Sequence, residues 1–389
     1  MITLIIPTHN RPHWFGRLLL YYRQVGLEIP LVVADSSQGE ALEKNRAFIE
    51  SAGSSLRITH RTFDPALGFN GKVVPTLSDC DSEYVVFCGD DDFMPPSGIA
   101  ACVEFLRAHP DYSAAHGQTV MCQFPEDADR RTDRLKGLRC PPYRQRSIEM
   151  DNPAVRLLDH LVNFSPTFYS VHRRQEMLGN FEKTDRATRD LRFGELLPSC
   201  LTVVQGKVKK LENVLFNIRQ EHKSSFNITE SSFESLLSQP DFSERYQLFR
   251  EALAEELSRV TGQPASAHTQ HVDDAFWGYT GTILSRSYIR RFGPGYARWG
   301  ESVDVTTHPA RAPRSERIQR LIRGTVGLLR SPRRLLKEIE ALSVPVHDNS
   351  IGLNKNDLNN PRHPCSPAFQ TVLSVALQYP LGIPGDPRE

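Results

Sequence analysis

Nowhere does the chain carry the roughly 18 consecutive apolar residues that a membrane span needs, so any membrane contact is expected to be peripheral. Its seven cysteines, at 80, 88, 102, 122, 140, 200 and 365, form no close pair and no two-residue-gapped doublet. That spacing argues against a disulfide framework and against a structural zinc site, and predicts reduced thiols in a cytoplasmic protein. Charge of one sign is also missing: 47 Lys and Arg stand against 46 Asp and Glu, a formal charge of +1, so bulk attraction to nucleic acid is not expected. No basic stretch precedes the apolar run at 2–6, so no export signal is expected, and no internal repeat is visible.

What remains is a chain of 389 residues, 39% hydrophobic and 24% charged, with a mean hydropathy of −0.41. It is long enough for two domains, or for one large domain with an appendage. The β-branched run at 2–6, stopped by Pro7, suits a strand buried on both faces. Helical spacing follows at 14–25, a strand at 31–34, a helix at 41–51 and a strand at 56–61. After Lys72 a helix reaches about 79, and the strongest strand, 84–88, runs into Gly89-Asp90-Asp91-Asp92. Strands separated by helices predict an α/β fold, a doubly wound and mostly parallel sheet with ligands at the carboxyl ends of its strands. A helix at 97–108 continues the pattern. An Arg-rich exposed loop is expected at 125–142, a helix at 153–163 capped by Asn152, a strand at 167–172, a helix at 190–204 interrupted near Pro198, and a strand at 215–219.

The catalytic domain is thus expected to span 1–225. A helical C-terminal region follows at 226–345, with a capping box at Asp241-Phe242-Ser243-Glu244 and a helix at 273–290, and then an irregular tail at 346–389. Within the helical region, 314–342 places Ile318, Leu321, Ile322, Val326 and Leu329 on one face and carries eight Arg or Lys residues. Such a stretch is either a solvated face packed on its own protein or a peripheral contact with the inner face of a membrane.

The acidic triplet is the chemical centre. Adjacent carboxylates after a buried strand repel one another unless a positive charge sits among them, and a divalent cation is the economical answer. All-oxygen ligands suit Mn²⁺ or Mg²⁺, with a phosphate completing the shell. Extended backbone would aim Asp90 and Asp92 to one side and Asp91 to the other, which favours the outer pair as ligands, although a turn at the strand end would reverse this. Read blandly, the cluster is a solvated acidic turn before Pro95.

Residues 5–12 (Ile-Ile-Pro-Thr-His-Asn-Arg-Pro), 32–37 (Val-Val-Ala-Asp-Ser-Ser), 68–72 (Gly-Phe-Asn-Gly-Lys) and 89–93 (Gly-Asp-Asp-Asp-Phe) resemble, in this order, the motifs of GT-A-fold, family-two-like bacterial glycosyltransferases. The resemblance extends over about 1–225 and includes 166–173 and 218–222. It implies a nucleotide-sugar donor, with a UDP-sugar first in line, an Asp-X-Asp metal site and inversion at the anomeric carbon. It implies that Pro7, Thr8 and Arg11 line the nucleotide pocket, that Asp35 accepts a hydrogen bond from the base, and that Lys72 reaches donor phosphate or ribose. Asp90, Asp91 and Asp92 would share the metal and the ribose, and His222 would bind diphosphate or complete the metal shell. Relatives carry Asp where this chain has Gly89, which leaves open which carboxylate grips the metal.

Inverting transfer also needs a base for the acceptor hydroxyl. Relatives carry a Glu-Asp pair where this chain has Arg189-Asp190, followed by Glu195. Glu195 is the favoured base and Asp190 the alternative; otherwise Asp190 is an N-cap and Glu195 a surface residue. His172 is expected to be satisfied in the core, and His271 with Asp273 and Asp274 to open a helix rather than to bind metal. The acceptor is a glycan, a lipid-linked sugar or a small molecule, in surface polysaccharide or other glycoconjugate synthesis. The helical region holds it, mediates a homodimer or approaches the membrane. A nucleotidyltransferase is the enzymatic rival, but its Gly-rich phosphate loop is missing after the first strand. A non-catalytic nucleotide-sugar binder is the rival of another class.

Overall fold

The computed structural model describes residues 1–123, 140, 143, 145–188, 191–221, 236–292, 353 and 355–378. Its sheet begins with β1 (Ile2–Thr8), β2 (Leu31–Asp35), β3 (Ile58–Thr62) and β4 (Tyr84–Phe87). Between them run helices α1 (Pro12–Gln24), α2 (Gly39–Ala52) and α3 (Gly68–Ser78). After α4 (Pro96–Ala108) come β5 (Tyr112–Gln123), α5 (Pro153–Val162), β6 (Val171–Arg173), α6 (Arg174–Ala187), α7 (Leu191–Gln205) and β7 (Lys207–Glu221). The sheet order is β3-β2-β1-β4-β6-β5-β7. The first four strands are parallel, β6 is antiparallel to both neighbours, and β5 and β7 are parallel. The doubly wound, mostly parallel α/β sheet is therefore observed. β1 lies between β2 and β4, so its carboxyl end is a switch point where ligands bind in such folds.

Pro7 does not stop β1, which continues to Thr8 in register with Asp35. Residues 4, 6 and 8 bond toward β2, whereas residues 5 and 7 face β4. Pairing with β4 ends at Ile5, so the missing Pro7 N–H removes no ladder bond. Two other expectations change. Helix α7 runs through Pro198 without a break. Asp241 does not cap its helix and pairs instead with Arg245. Asn152 caps α5 as expected, accepting from the N–H groups of Ala154 and Val155.

Helices α8 (Phe242–Thr261) and α9 (Thr269–Phe292) form a second core with α5 and α7. Phe249, Leu253, Leu257 and Phe276 meet Phe193, Leu197 and Leu201 there, so residues on both sides of position 225 share one interior. The tail expected to be irregular contains α10 (Lys355–Asn359) and α11 (Ser366–Gln378). Its Asn- and Pro-rich flanks conceal a helical repeat of Phe369, Val372, Leu373 and Ala376, which joins the core of the N-terminal sheet beside Phe93, Cys122 and Ile218. Phe369→Ala is expected to destabilise the protein by about 3–5 kcal/mol, measured by denaturant unfolding. The 125–142 loop, apart from residue 140, and the 314–342 stretch lie outside the described residues. Among those described, no helix is long and apolar enough to cross a membrane, and every described cysteine is free and buried.

Candidate active site

The carboxyl ends of β1, β2 and β4 and the far half of β7 meet in one place. Immediately after β4 the chain turns, with the Asp92 N–H donating to the Gly89 carbonyl at 3.1 Å. This turn replaces the extended geometry that would have paired the outer carboxylates. Asp90 and Asp91 instead face a common partner: Arg11, at the head of α1, places Nη1 2.8 Å from Asp90 Oδ1 and Nη2 2.8 Å from Asp91 Oδ2. Asp92 turns toward β7, 3.3 Å from the Asn217 amide nitrogen and 3.6 Å from Arg219 Nε.

Gly89 makes this turn feasible. A Cβ there would lie 2.8 Å from Asp91 Oδ1 and 3.4 Å from Asp92 Oδ2. The departure from the relatives' Asp thus keeps space for the carboxylates that follow. Gly89→Ala should reduce donor binding and transfer while leaving the melting temperature nearly unchanged, because the displaced atoms belong to the Asp91 and Asp92 side chains rather than to the core.

Asp90 is buried, and Thr8 donates to its Oδ2 at 2.8 Å. Burial pushes its carboxyl up to about 6, against the pull of Arg11. Burial likewise pushes Asp92 up to about 7, with Arg219 opposing. Burial works against the charge on Arg219, but Asp92 together with Tyr169 and Tyr143 more than offsets this and raises its pKa. The Arg219 guanidinium carbon lies 4.8 Å from the Tyr169 ring centre, a cation–π contact. Asp91 is the most open of the three, at 19% exposure. Two hard oxygens aimed at one cation match the donor set of Mg²⁺ or Mn²⁺, and the Arg11 guanidinium stands where their charge would otherwise be met.

Asp35 is fully buried. Its Oδ1 accepts from the Ser37 N–H at 2.8 Å, and its Oδ2 meets Asn45 Nδ2 at 2.9 Å and His60 Nε2 at 3.0 Å. Burial opposes its ionisation, yet the hydrogen bonds from His60, Ser37 and Asn45 hold it below the ordinary carboxylate range. The group nearest solvent in this network is His60, 17% exposed in the middle of β3. Lys72 is buried rather than solvated, and donates to the Thr8 carbonyl and to Ser36 Oγ, each at 3.0 Å. Burial lowers its pKa, with Asp35 and Asp90 opposing. Pro7 is half-buried in the strand just before Thr8.

Residues 3–173 match the family model described as glycosyl transferase family 2. This segment is a family 2 glycosyltransferase domain. No curated protein matches the sequence. Among solved structures, the chain is similar to S. aureus TarS 1–349 in complex with UDP, at 12% identity over 97% of this chain and 88% of that one, with a TM-score of 0.45. It is similar to the same protein in complex with UDP-GlcNAc, at 12% identity over 77% and 87%, with a TM-score of 0.42. It is also similar to the mannosyltransferase PcManGT from Pyrobaculum calidifontis in complex with GDP-Man and Mn²⁺, at 14% identity over 97% and 86%, with a TM-score of 0.39.

In this glycosyltransferase Glu195 lies at the start of the second turn of α7. Its side chain remains open to solvent, yet the protein around it displaces enough water to raise its carboxyl pKa, with Arg192 and Arg219 pulling the other way. Arg219 therefore acts electrostatically on both Asp92 and Glu195. Asp190 and His222 lie outside the described residues. His172 Nε2 donates to the Thr167 carbonyl, 2.8 Å away, inside the core. Asp273 pairs with Tyr246 and Asp274 with Gln270, and no cluster of metal-binding side chains occurs among the described residues.

The sequence reading missed Arg17, Asn217, Gln220 and His60. Arg17 Nη2 donates to Gln220 Oε1 at 2.7 Å, and Gln220 Nε2 donates to the Asp91 carbonyl at 2.9 Å. Arg17 is buried between Trp14 and Phe93, and burial lowers its pKa to about 10 while Asp91 opposes. Only Gln220 had a signal, through its place in the 218–222 motif.

Proposed function

We propose that this glycosyltransferase moves a sugar from a nucleoside-diphosphate donor, a UDP-sugar first, to an acceptor hydroxyl with inversion. The observation that supports the reading best is the gathering of Thr8, Arg11, Lys72, the acidic turn and Arg219 at one switch point. Asp90 and Asp91, with Asp92 behind them, would hold Mn²⁺ or Mg²⁺, and the bound ion would supply Lewis-acid stabilisation of charge on the departing diphosphate. Pro7 and Thr8 would border the nucleotide, Lys72 would keep the β1 and β2 loops in place, and Asp35 would serve the base by fixing His60. Glu195 would take the proton of the acceptor hydroxyl while that oxygen bonds to the anomeric carbon and the diphosphate leaves with the bonding electrons. Asp190 remains the alternative base.

The test is a thermal-shift panel of UDP-, GDP-, CMP- and dTDP-sugars on the full chain, with and without Mn²⁺. One nucleotide class should stabilise the protein, by about 2.7 kcal/mol at a hundred times its Kd, and more with Mn²⁺. Stabilisation by none of the four would overturn the donor assignment.

A further inference from the structure

We infer that Arg11 is the resident counter-ion of the acidic turn and that it couples divalent-metal binding to donor binding, leaving the carboxylates when the donor's diphosphate arrives. The inference rests on the reading of a nucleoside-diphosphate donor and a metal site.

The guanidinium bridges one oxygen of Asp90 and one of Asp91, both at 2.8 Å. A divalent ion held by the same two oxygens and this guanidinium exclude each other, in space and in charge. The neighbourhood is already neutralised, because Arg11, Arg17, Lys72 and Arg219 face three carboxylates. Two more positive charges added to a half-buried site of this kind would be poorly screened. Of the four cations, Arg17 and Lys72 are buried, at 5% and 6% exposure. Arg219 is held by Asp92 and two tyrosine rings. Arg11 is 28% exposed, at the N-cap of α1, with its guanidinium carbon 5.4 Å from the Trp14 ring centre. Arg219 is equally exposed, at 30%, but faces Asp92 and the two rings, so Arg11 is the exposed cation that sits on the two oxygens a metal would use.

Asp90 and the backbone of Asp91 each have a second anchor besides Arg11. Thr8 holds the other oxygen of Asp90, and the Gln220 amide holds the backbone of Asp91. Departure of Arg11 toward an incoming diphosphate would leave two aligned oxygens ready for the metal. The anionic donor thus supplies the guanidinium with a new partner, and each ligand favours the other by the same factor.

The decisive measurement is Mn²⁺ affinity without nucleotide, by electron paramagnetic resonance on the full chain. Arg11→Gln should bind Mn²⁺ more tightly than wild type, by the roughly 5–150-fold typical of coupled sites, and should lose part of the tightening that UDP or GDP produces in wild type. Arg11→Lys keeps the charge without the fork and should fall between the two, and it carries the comparison should Arg11→Gln not melt cooperatively. Wild type that binds Mn²⁺ with nucleotide, alongside Arg11 variants that gain nothing without it, overturns the coupling alone. Failure of wild type to bind Mn²⁺ even with saturating UDP or GDP overturns the metal reading and the coupling together.

Discussion

Asp91→Asn is expected to lower sugar transfer by at least on the order of 10²–10³-fold, the loss typical when one element of transition-state charge stabilisation is removed. Asn preserves the volume and the turn but removes the negative charge from the most open carboxylate, which points at the same cation position as Asp90. Asp92→Asn should be comparably inactive for a different reason: Asp92 offsets Arg219, and without it a half-buried guanidinium is left with its two tyrosines. Steady-state transfer with added Mn²⁺ checks both. If both variants keep full metal-dependent activity, the acidic turn does not hold the metal.

Glu195→Gln should lower kcat by about 10²–10⁴-fold, the range for loss of a general base, while the donor still binds with metal. The pH profile carries the sharper signature. A base must be ionised, and the protein around Glu195 raises its carboxyl above the ordinary 4.5. Wild-type activity should therefore fall as pH drops through that raised value, and the acid limb should lie above pH 4.5. The Gln variant should keep a low residual rate without that limb. Asp190→Asn provides the contrast: if it removes the limb and Glu195→Gln does not, the roles are exchanged.

Much of this site could be read from the chain because its central part is local. A continuous apolar strand running into three carboxylates marks a strand end wherever the strand sits, and β1, β2 and β4 share that clear signal. What escaped the reading is carried by distance along the chain. Arg17 and Gln220 are 203 positions apart, and Asn217 and Asp92 are 125 apart. On α1, Arg17 reads as a solvated charge, and only the topology places it between Trp14 and Phe93. Strand β5 is polar and small-residue-rich (Tyr-Ser-Ala-Ala-His-Gly-Gln), so alternation is weak, and β7 supplies the pairing that fixes it. Helix α6 is heavily charged and has no side-chain cap, which leaves little periodicity to detect. The paired oxygens of Asp90 and Asp91 depended on one backbone turn at Gly89, which residue pattern alone left open.

Helix α11 gives the molecule a property that belongs to its synthesis rather than to its chemistry. The sheet bearing the acidic turn is made first, but the surface formed by Phe93, Cys122 and Ile218 is covered in part by residues 366–378. Until those residues have left the ribosome, a nascent chain carries that apolar face uncovered beside the backbone that positions Asp91. Newly made protein thus reaches its working form only once those residues have been added, and chaperones have a defined surface to shield in the meantime.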